Sequence, residues 1–392
     1  MGLIIWEEDL MAEIKININK LKSTISKLSM AVEKSKINPK AGWIELLVSE
    51  GKMTIKVGNY DYYLESEMSV DGEDSIHATI VADTFIPLVS KLDVDEVTMT
   101  EYMNALVMHT KSSEYTFPII KDRGKVKAID SIDFDSGDVT TASLTGEDIS
   151  SIAESNASGL TGALFTKDIQ QFVYVDNEGA LTFTENIYLN TFSNPSDVSF
   201  RFLLNGTQAK LLKVFESFEN VTVEVENAKA YDVSIKVRIS AQTDEKLTLV
   251  MITQSTEVTQ KFPCIKLRKL ANAVAETHAI IDKKTLDKAL ARLMVFDKKF
   301  DITVLNYSKF VWSENSVRLV SIKNQNYEIL QYKSGKNTSE HESIIRFADI
   351  VNQLKAIQSK EVDISYGDSP AIVINADNIK ILIPEIVSVD RT

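Results

Sequence analysis

The sequence predicts an α+β protein built from three tandem copies of one strand-rich unit, each carrying two amphipathic helices among about eight short strands. Three observations predict it. A strand followed by a helix opens each third of the chain, a hairpin with the same polar turn comes next, and a second helix flanked by strands follows that hairpin.

In the first third, Ile14-Lys15-Ile16-Asn17-Ile18 alternates apolar and polar residues as a half-buried strand does. A helix is expected from Asn19 to about Lys34, with Leu21, Ile25, Leu28 and Val32 on one face and either Asn19 or Ser23 as its cap. The hairpin is Ser49-Glu50-Gly51-Lys52-Met53-Thr54-Ile55, leading into Asn59-Tyr60-Asp61-Tyr62-Tyr63. The second helix, Asp83 to Leu92, lies between strands at 75–80 and 96–99.

The middle third repeats the order from Thr140 to Ala153, where Thr145 and Asp148 resemble a capping box. Its hairpin is Asn177-Glu178-Gly179-Ala180-Leu181-Thr182-Phe183, and its second helix runs from Asn205 to Phe218 before the strand Val221–Val225. The last third opens at His278 to Met294, with Asp282 capping a helix that carries Leu286, Leu290 and Leu293. Ser313-Glu314-Asn315-Ser316-Val317-Arg318-Leu319 supplies its hairpin, and Phe347 to Ile357 its second helix. The expected domains are 12–125, 138–268 and 275–387.

The 392 residues, 43.8 kDa, suffice for several cores, and 44% hydrophobic with 25% charged residues is ordinary globular composition. No apolar run approaches a membrane span, and the acidic start Met1-Gly2-Leu3-Ile4-Ile5-Trp6-Glu7-Glu8-Asp9 is unlike a secretory leader. Cys264 is the single cysteine, which excludes an intrachain disulfide and a Cys-based zinc site and fits a reducing cytoplasm. The four histidines show no HExxH or i, i+4 spacing, so no metal or other cofactor is expected. Catalytic signatures are equally absent: there is no Walker sequence, no GxSxG, and no GxGxxG after a strand. Cys264 beside Pro263 reads as strand-end packing, and acid pairs such as Asp133/Asp135 as loop solvation. A non-enzyme is expected.

The formal charge is −13, yet basic residues gather on the helices. Lys20, Lys22, Lys27, Lys34, Lys36 and Lys40 face one acid, Glu33, and Lys283, Lys284, Lys288, Arg292, Lys298 and Lys299 face Asp282, Asp287 and Asp297. Arg346, Lys355 and Lys360 stand against Asp349. A single such helix reads as a solvated face, whereas repetition favours convergence on one polyanion. The middle third departs from this, with Glu147, Asp148 and Glu154 on its first helix and only Lys210 and Lys213 on its second.

Taken with the Glu50-Gly51-Lys52-Met53-Thr54-Ile55 hairpin, the domain ends Phe117-Pro118 and Phe262-Pro263, and the closing Ile379-Lys380-Ile381-Leu382-Ile383-Pro384, the pattern resembles the bacterial-type DNA polymerase III beta sliding clamps, from about Ala12 to Ile386. The resemblance implies tandem clamp domains with antiparallel sheet outside and helices inside, closed as a head-to-tail homodimeric ring around double-stranded DNA. Twelve helices at about 10 Å each make a circle of about 120 Å, leaving roughly 28 Å free. A duplex near 20 Å across fits.

The DNA-facing residues implied are Lys20, Lys27, Lys34, Lys36, Lys210, Lys213, Lys284, Lys288, Arg292 and Lys355, making non-specific phosphate contacts. Polymerase and clamp-loader peptides are implied to dock in an apolar pocket formed by Leu160, Thr184, Asn186, Ile187, Leu189, Leu270, Val274, Ile381, Ile383 and Pro384. The same residues also read as interdomain core. Thr184-Glu185-Asn186-Ile187-Tyr188-Leu189 departs from the family's Thr-Asp-Gly-His-Arg-Leu, and the tail from Glu385 to Thr392 from its Met-Arg-Leu ending. Both departures suit a divergent member from a phage or mobile element. A repeat-built scaffold protein that threads no DNA is the rival expectation.

Overall fold

The structure is a computed structural model that describes residues 13–33, 37–102, 104–134, 137–159, 172–183, 187–227, 234–254, 264–272, 277–297, 307–321, 325–336, 340–355, 357–367 and 371–385. Two compact units divide it: residues 1–147 with 214–253, and residues 148–213 with 254–392.

The first third runs β1 (Glu13–Asn17), α1 (Ile18–Leu28), β2 (Trp43–Ser49), β3 (Lys52–Gly58), β4 (Tyr62–Ser69), β5 (Ile76–Val81), α2 (Ala82–Lys91), β6 (Glu96–Tyr102), β7 (Ala105–His109) and β8 (Glu114–Pro118). A small hairpin, β9 (Lys121–Asp122) and β10 (Lys125–Val126), follows. The middle third is β11 (Val139–Leu144), α3 (Gly146–Gly159), β12 (Val173–Asp176), β13 (Gly179–Phe183), β14 (Ile187–Thr191), β15 (Arg201–Leu204), α4 (Gly206–Leu211), β16 (Val221–Glu226), β17 (Ser234–Gln242) and β18 (Lys246–Gln254). After α5 (Cys264–Ala271) come β19 (His278–Asp282), α6 (Lys283–Asp297), β20 (Tyr307–Trp312), β21 (Ser316–Ser321), β22 (Tyr327–Gln331), β23 (Ser334–Lys336), β24 (His341–Arg346), α7 (Phe347–Leu354), β25 (Glu361–Ser365), β26 (Ala371–Ala376) and β27 (Ile379–Pro384).

Pairing repeats as faithfully as order does. The strand before the first helix pairs with the strand after the second: β1 with β6, β11 with β16, β19 with β25. Each such pair continues into a meander, β6–β7–β8, β16–β17 and β25–β26–β27. The other four strands form a second sheet in each third: β5–β2–β3–β4, β15–β12–β13–β14 and β24–β20–β21–β22. All these pairs are antiparallel, the arrangement that hairpin connections allow.

One further pairing rule occurs twice. The last strand of the second sheet of one third pairs antiparallel with the last strand of the next third's meander. In the first unit β4 joins β18, from Lys246↔Glu67 to Met251↔Tyr62. In the second unit β14 joins β27, from Ile187↔Leu382 to Asn190↔Ile379. These ladders explain why the compact units cut through the middle third: its meander is bonded to the first third and its second sheet to the last. The strands left over are β22 and β8, and among the described residues each pairs on one side only, with β21 and β7.

The sequence reads each hairpin turn as Glu-Gly or Glu-Asn, and the first is as read while the middle one differs. Glu50 and Gly51, at φ 55° and 71°, form the turn between β2 and β3, as the right-handed twist of a two-residue hairpin demands. In the middle third the turn residues are Asn177 and Glu178 instead of Glu178 and Gly179. Gly179 opens β13 at φ 152°, where a Cβ would lie 2.0 Å from the Asn190 carbonyl oxygen.

The first helix is shorter than expected. Asn17 caps it, its side chain accepting from the backbone N–H of Asn19 and Lys20, so neither Asn19 nor Ser23 is the cap. A 3₁₀ turn, Ser29–Ala31, ends it before Val32 becomes extended. Asp282 caps α6 as the sequence predicts, accepting from Thr285 N–H at 2.7 Å. In the last third's core, Trp312 stacks on Tyr366 with centroids 4.1 Å apart and Leu286, Leu290 and Leu293 packed in the same cluster.

Candidate functional site

Two places carry the residues that the sequence singles out. The first is a set of exposed cations on helices. On α6, Leu286, Ala289, Leu290 and Leu293 are buried, so helical spacing turns Lys284, Lys288 and Arg292 outward in one stripe. Lys284 and Lys288 meet no carboxylate at ion-pair distance among the described residues. Arg292 does: both its Nε and an Nη donate to Glu328, at 2.7 and 3.0 Å, and each group holds the other's charged form. On α1, Ile18, Leu21, Ile25 and Leu28 are buried and Lys20 is exposed.

Lys27 is placed differently from the other cations. Its ammonium lies 2.6 Å from Glu245 and 4.8 Å from the centre of the Phe218 ring, with 19% of its side chain exposed. Its charge is therefore already matched within the chain. Lys210 and Lys213 are exposed just after the capping box that Asn205 and Gln208 form at the start of α4. Lys355 is exposed beyond α7. Lys34 and Lys36 lie outside the described residues.

One of the three acids on the middle third's first helix, Asp148, competes less than the sequence suggests, while Glu147 is exposed. Asp148 is only 3% exposed, and its carboxylate accepts the backbone N–H groups of Ser193 and Asn194 at 2.6 and 3.2 Å. It ties α3 to a loop and presents no carboxylate to solvent.

The second place is an apolar cluster where α5 covers β14 and β27. It comprises Leu181, Ile187, Leu189, Leu267, Ala271, Ala371, Val373 and Leu382. Ile187 and Leu189 were expected there, but Ile381 and Ile383 were not brought with them. Strand parity decides this: Ile187 pairs with Leu382 and Tyr188 with Ile381, so Ile381 and Ile383 point to the opposite face and join the Trp312 core. Leu382 takes their place. On α5 the inward residues are Leu267 and Ala271, one turn apart, while Leu270 is 51% exposed. Pro384 is exposed at the strand end, and Leu160, Thr184, Asn186 and Val274 lie outside the described residues.

The rest of the surroundings is polar. Arg268 on α5 pairs with Asp176 at 2.6 Å and with Glu178, fastening the helix to the β12–β13 hairpin. Lys380 donates to Asn272 at 2.6 Å. Glu385, where the resemblance would put an apolar residue, accepts from the Ser343 hydroxyl at 2.6 Å and so turns toward the last third's core. Sequence reasoning missed Leu267, Arg268 and Leu382. The 3.6-residue period of Leu267 and Ala271 was the available signal.

Two outcomes follow from this geometry. Ile383→Ala lowers the unfolding free energy by about 2–5 kcal/mol, as emptying a packed core does, and urea titration measures it. A loss below about 1 kcal/mol would contradict the core placement. Arg268→Ala makes stability fall with rising pH. Burial already holds the Asp176 carboxyl above its ordinary value of 3.8, with the Arg268 guanidinium pulling it back. Without the guanidinium the native state keeps that proton more tightly than the unfolded chain, so stability declines as pH climbs from 3.8 through the raised native value. Urea midpoints for the variant and the parent at pH 4 and pH 7 test this; an equal loss at both would assign Arg268 to packing alone.

No family model matches the sequence, and no curated protein does. Solved structures do match. The chain is similar to the DNA polymerase III beta subunit of Thermotoga maritima, with a TM-score of 0.74 at 17% identity over 96% of this chain and 99% of that one. The beta subunit of Streptococcus pyogenes gives 0.72 at 15%, and the DNA polymerase sliding clamp of Bacillus subtilis 0.70 at 13%, each over 96% of this chain and 100% of the other. The fold is therefore that of the bacterial beta sliding clamps, along nearly the whole chain.

Proposed function

We propose that this protein is a DNA sliding clamp: two copies joined head to tail form a ring that encircles duplex DNA and tethers a replicative polymerase for processive synthesis. The observation that carries the reading is the pairing rule of the sheets. It is used at β4–β18 and β14–β27 and leaves one strand of each kind, β22 and β8, with an edge that pairs with no strand among the described residues. Two copies satisfy both edges at once, β22 of each on β8 of the other. An interface in which each copy offers a different patch closes into a ring when the rotation completes a circle.

Three clamp domains per copy, at 12–125, 138–268 and 275–387, give the ring six repeats. The exposed cations Lys20, Lys210, Lys213, Lys284 and Lys288 supply weak contacts to phosphate, which suit sliding because they carry no sequence information. The surface of α5 around the exposed Leu270, above that buried cluster, is the docking place for peptides of the polymerase and of a clamp loader, where apolar anchors concentrate binding energy. The protein acts as a cytoplasmic processivity factor and performs no chemistry itself. That role accords with the beta-subunit fold of its structural neighbours.

The test is retention on nicked circular DNA after loading, followed by linearisation. A threaded ring stays on the circle and runs off the ends once they exist. Equal retention on both forms would favour a scaffold protein without threading and would reject the proposal.

A further inference from the structure

The carboxylate of Glu245 sits at the tip of the β17–β18 hairpin with 15% of its side chain exposed, and three donors converge on it. Lys27 Nζ lies 2.6 Å from one oxygen, and the hydroxyls of Thr24 and Ser66 donate to the other at 2.9 and 2.5 Å. Thr24 and Ser66 are 2% and 0% exposed. Lys27 also lies over Phe218, so its stem and charge are held on two sides. Thr24 and Lys27 belong to α1, Ser66 to β4, and Glu245 and Phe218 to the middle third, all within the first compact unit.

We infer that Glu245 is a positioning residue for DNA binding: it withholds the Lys27 charge from phosphate and fixes α1 so that Lys20, at the exposed end of the same helix face, is the cation presented. Lys20 and Lys27 are seven residues apart and share a helical azimuth, so the sequence alone treats them as equals. Of the two, only Lys27 meets a carboxylate among the described residues. The inference rests on the proposal that α1 faces DNA.

The test compares Lys20→Met, Lys27→Met, Glu245→Gln and the Lys27→Met/Glu245→Gln pair in the full chain, reading the salt dependence of binding to a plain duplex and the melting temperature. Lys20→Met flattens the slope of log K against log salt by about 0.9 per copy without moving the melting temperature, since each phosphate contact releases about one counterion. Lys27→Met leaves the slope unchanged and lowers the melting temperature by several degrees, because it strands a buried carboxylate. Glu245→Gln steepens the slope by about 0.9 per copy as Lys27 is released. The double variant recovers part of the melting temperature that Lys27→Met loses.

A slope for Lys27→Met as flat as that for Lys20→Met would make Lys27 a DNA contact and overturn the inference, as would an unchanged melting temperature. A parent protein with no salt-dependent duplex binding would instead overturn the DNA reading, and the double variant's melting temperature would still decide whether Lys27 and Glu245 act as one unit.

Discussion

Cysteines at Thr116 and Tyr327 are expected to cross-link two copies of the chain under mild oxidation, giving a species of twice 43.8 kDa on a denaturing gel. The register of the internal joint fixes these positions. In β14–β27, Ile187 faces Leu382 and Leu189 faces Lys380. Gly179 and Ser316 open the corresponding strands and pair with Thr191 and Gln331, so Tyr327 and Ile329 correspond to Ile187 and Leu189. Matching the ends Phe117-Pro118 and Ile383-Pro384 then sets Tyr327 opposite Thr116 and Ile329 opposite Glu114. Directly opposed residues of an antiparallel pair have Cα atoms about 4.5–5.5 Å apart, within the span of a disulfide. Tyr327 and Ile329 are 54% and 52% exposed on β22, which is unusual for two large apolar residues on one strand face and fits an edge awaiting a partner. Ile329→Asp sets two carboxylates across the seam from each other, and sedimentation should return a mass near 43.8 kDa. Persistence of the doubled mass in Ile329→Asp, together with no cross-link in a Cys264→Ser background carrying the cysteine pair, would reject this joint.

Replacing Lys20, Lys284 and Lys288 by Gln is expected to flatten the salt dependence of duplex binding by about 0.9 for each lysine, roughly 5 in total for the six sites of two copies. Reversing them to Glu should abolish retention on nicked circles at ordinary salt while leaving the doubled mass unchanged. These three are chosen because they meet no carboxylate at ion-pair distance among the described residues. Lys27 and Arg292 do, at Glu245 and Glu328, and belong in the control set. A fluorescence titration over a range of salt gives the slope. An unchanged slope in the triple variant would mean that α1 and α6 do not face the duplex.

The repeat was legible because it is written in local chemistry. Turn residues such as Glu50-Gly51, helix caps such as Asp282 and the alternation of β1 are set by neighbours a few residues away, so the same script three times predicted the same fold three times. What the sequence did not yield depends on distant partners. β27 is apolar on both faces, and a run such as Ile381-Leu382-Ile383 gives no parity from which to choose the side that α5 covers. The sequence therefore places Ile381 and Ile383 with Ile187 and Leu189, where the structure has Leu382. Lys27 looked like Lys20 because its partner lies 218 residues away on another repeat. Arg268 carries no local signal at all, because its partner Asp176 lies 92 residues away. The helix end after α1 was misread for a local reason: Val32 continues the apolar spacing, yet the backbone has already turned extended.

The interchangeability of the strand joints reaches beyond this one chain order. If β22 and β8 can meet as β4 meets β18, the location of the break in the covalent backbone is arbitrary. A permuted gene that begins at residue 138, runs to 387, and continues through a short tether into 12–125 would encode the proposed ring with its seams moved to β4–β18. The seam carrying the Lys27–Glu245 contact would then be the one that has to part for a circle of DNA to enter.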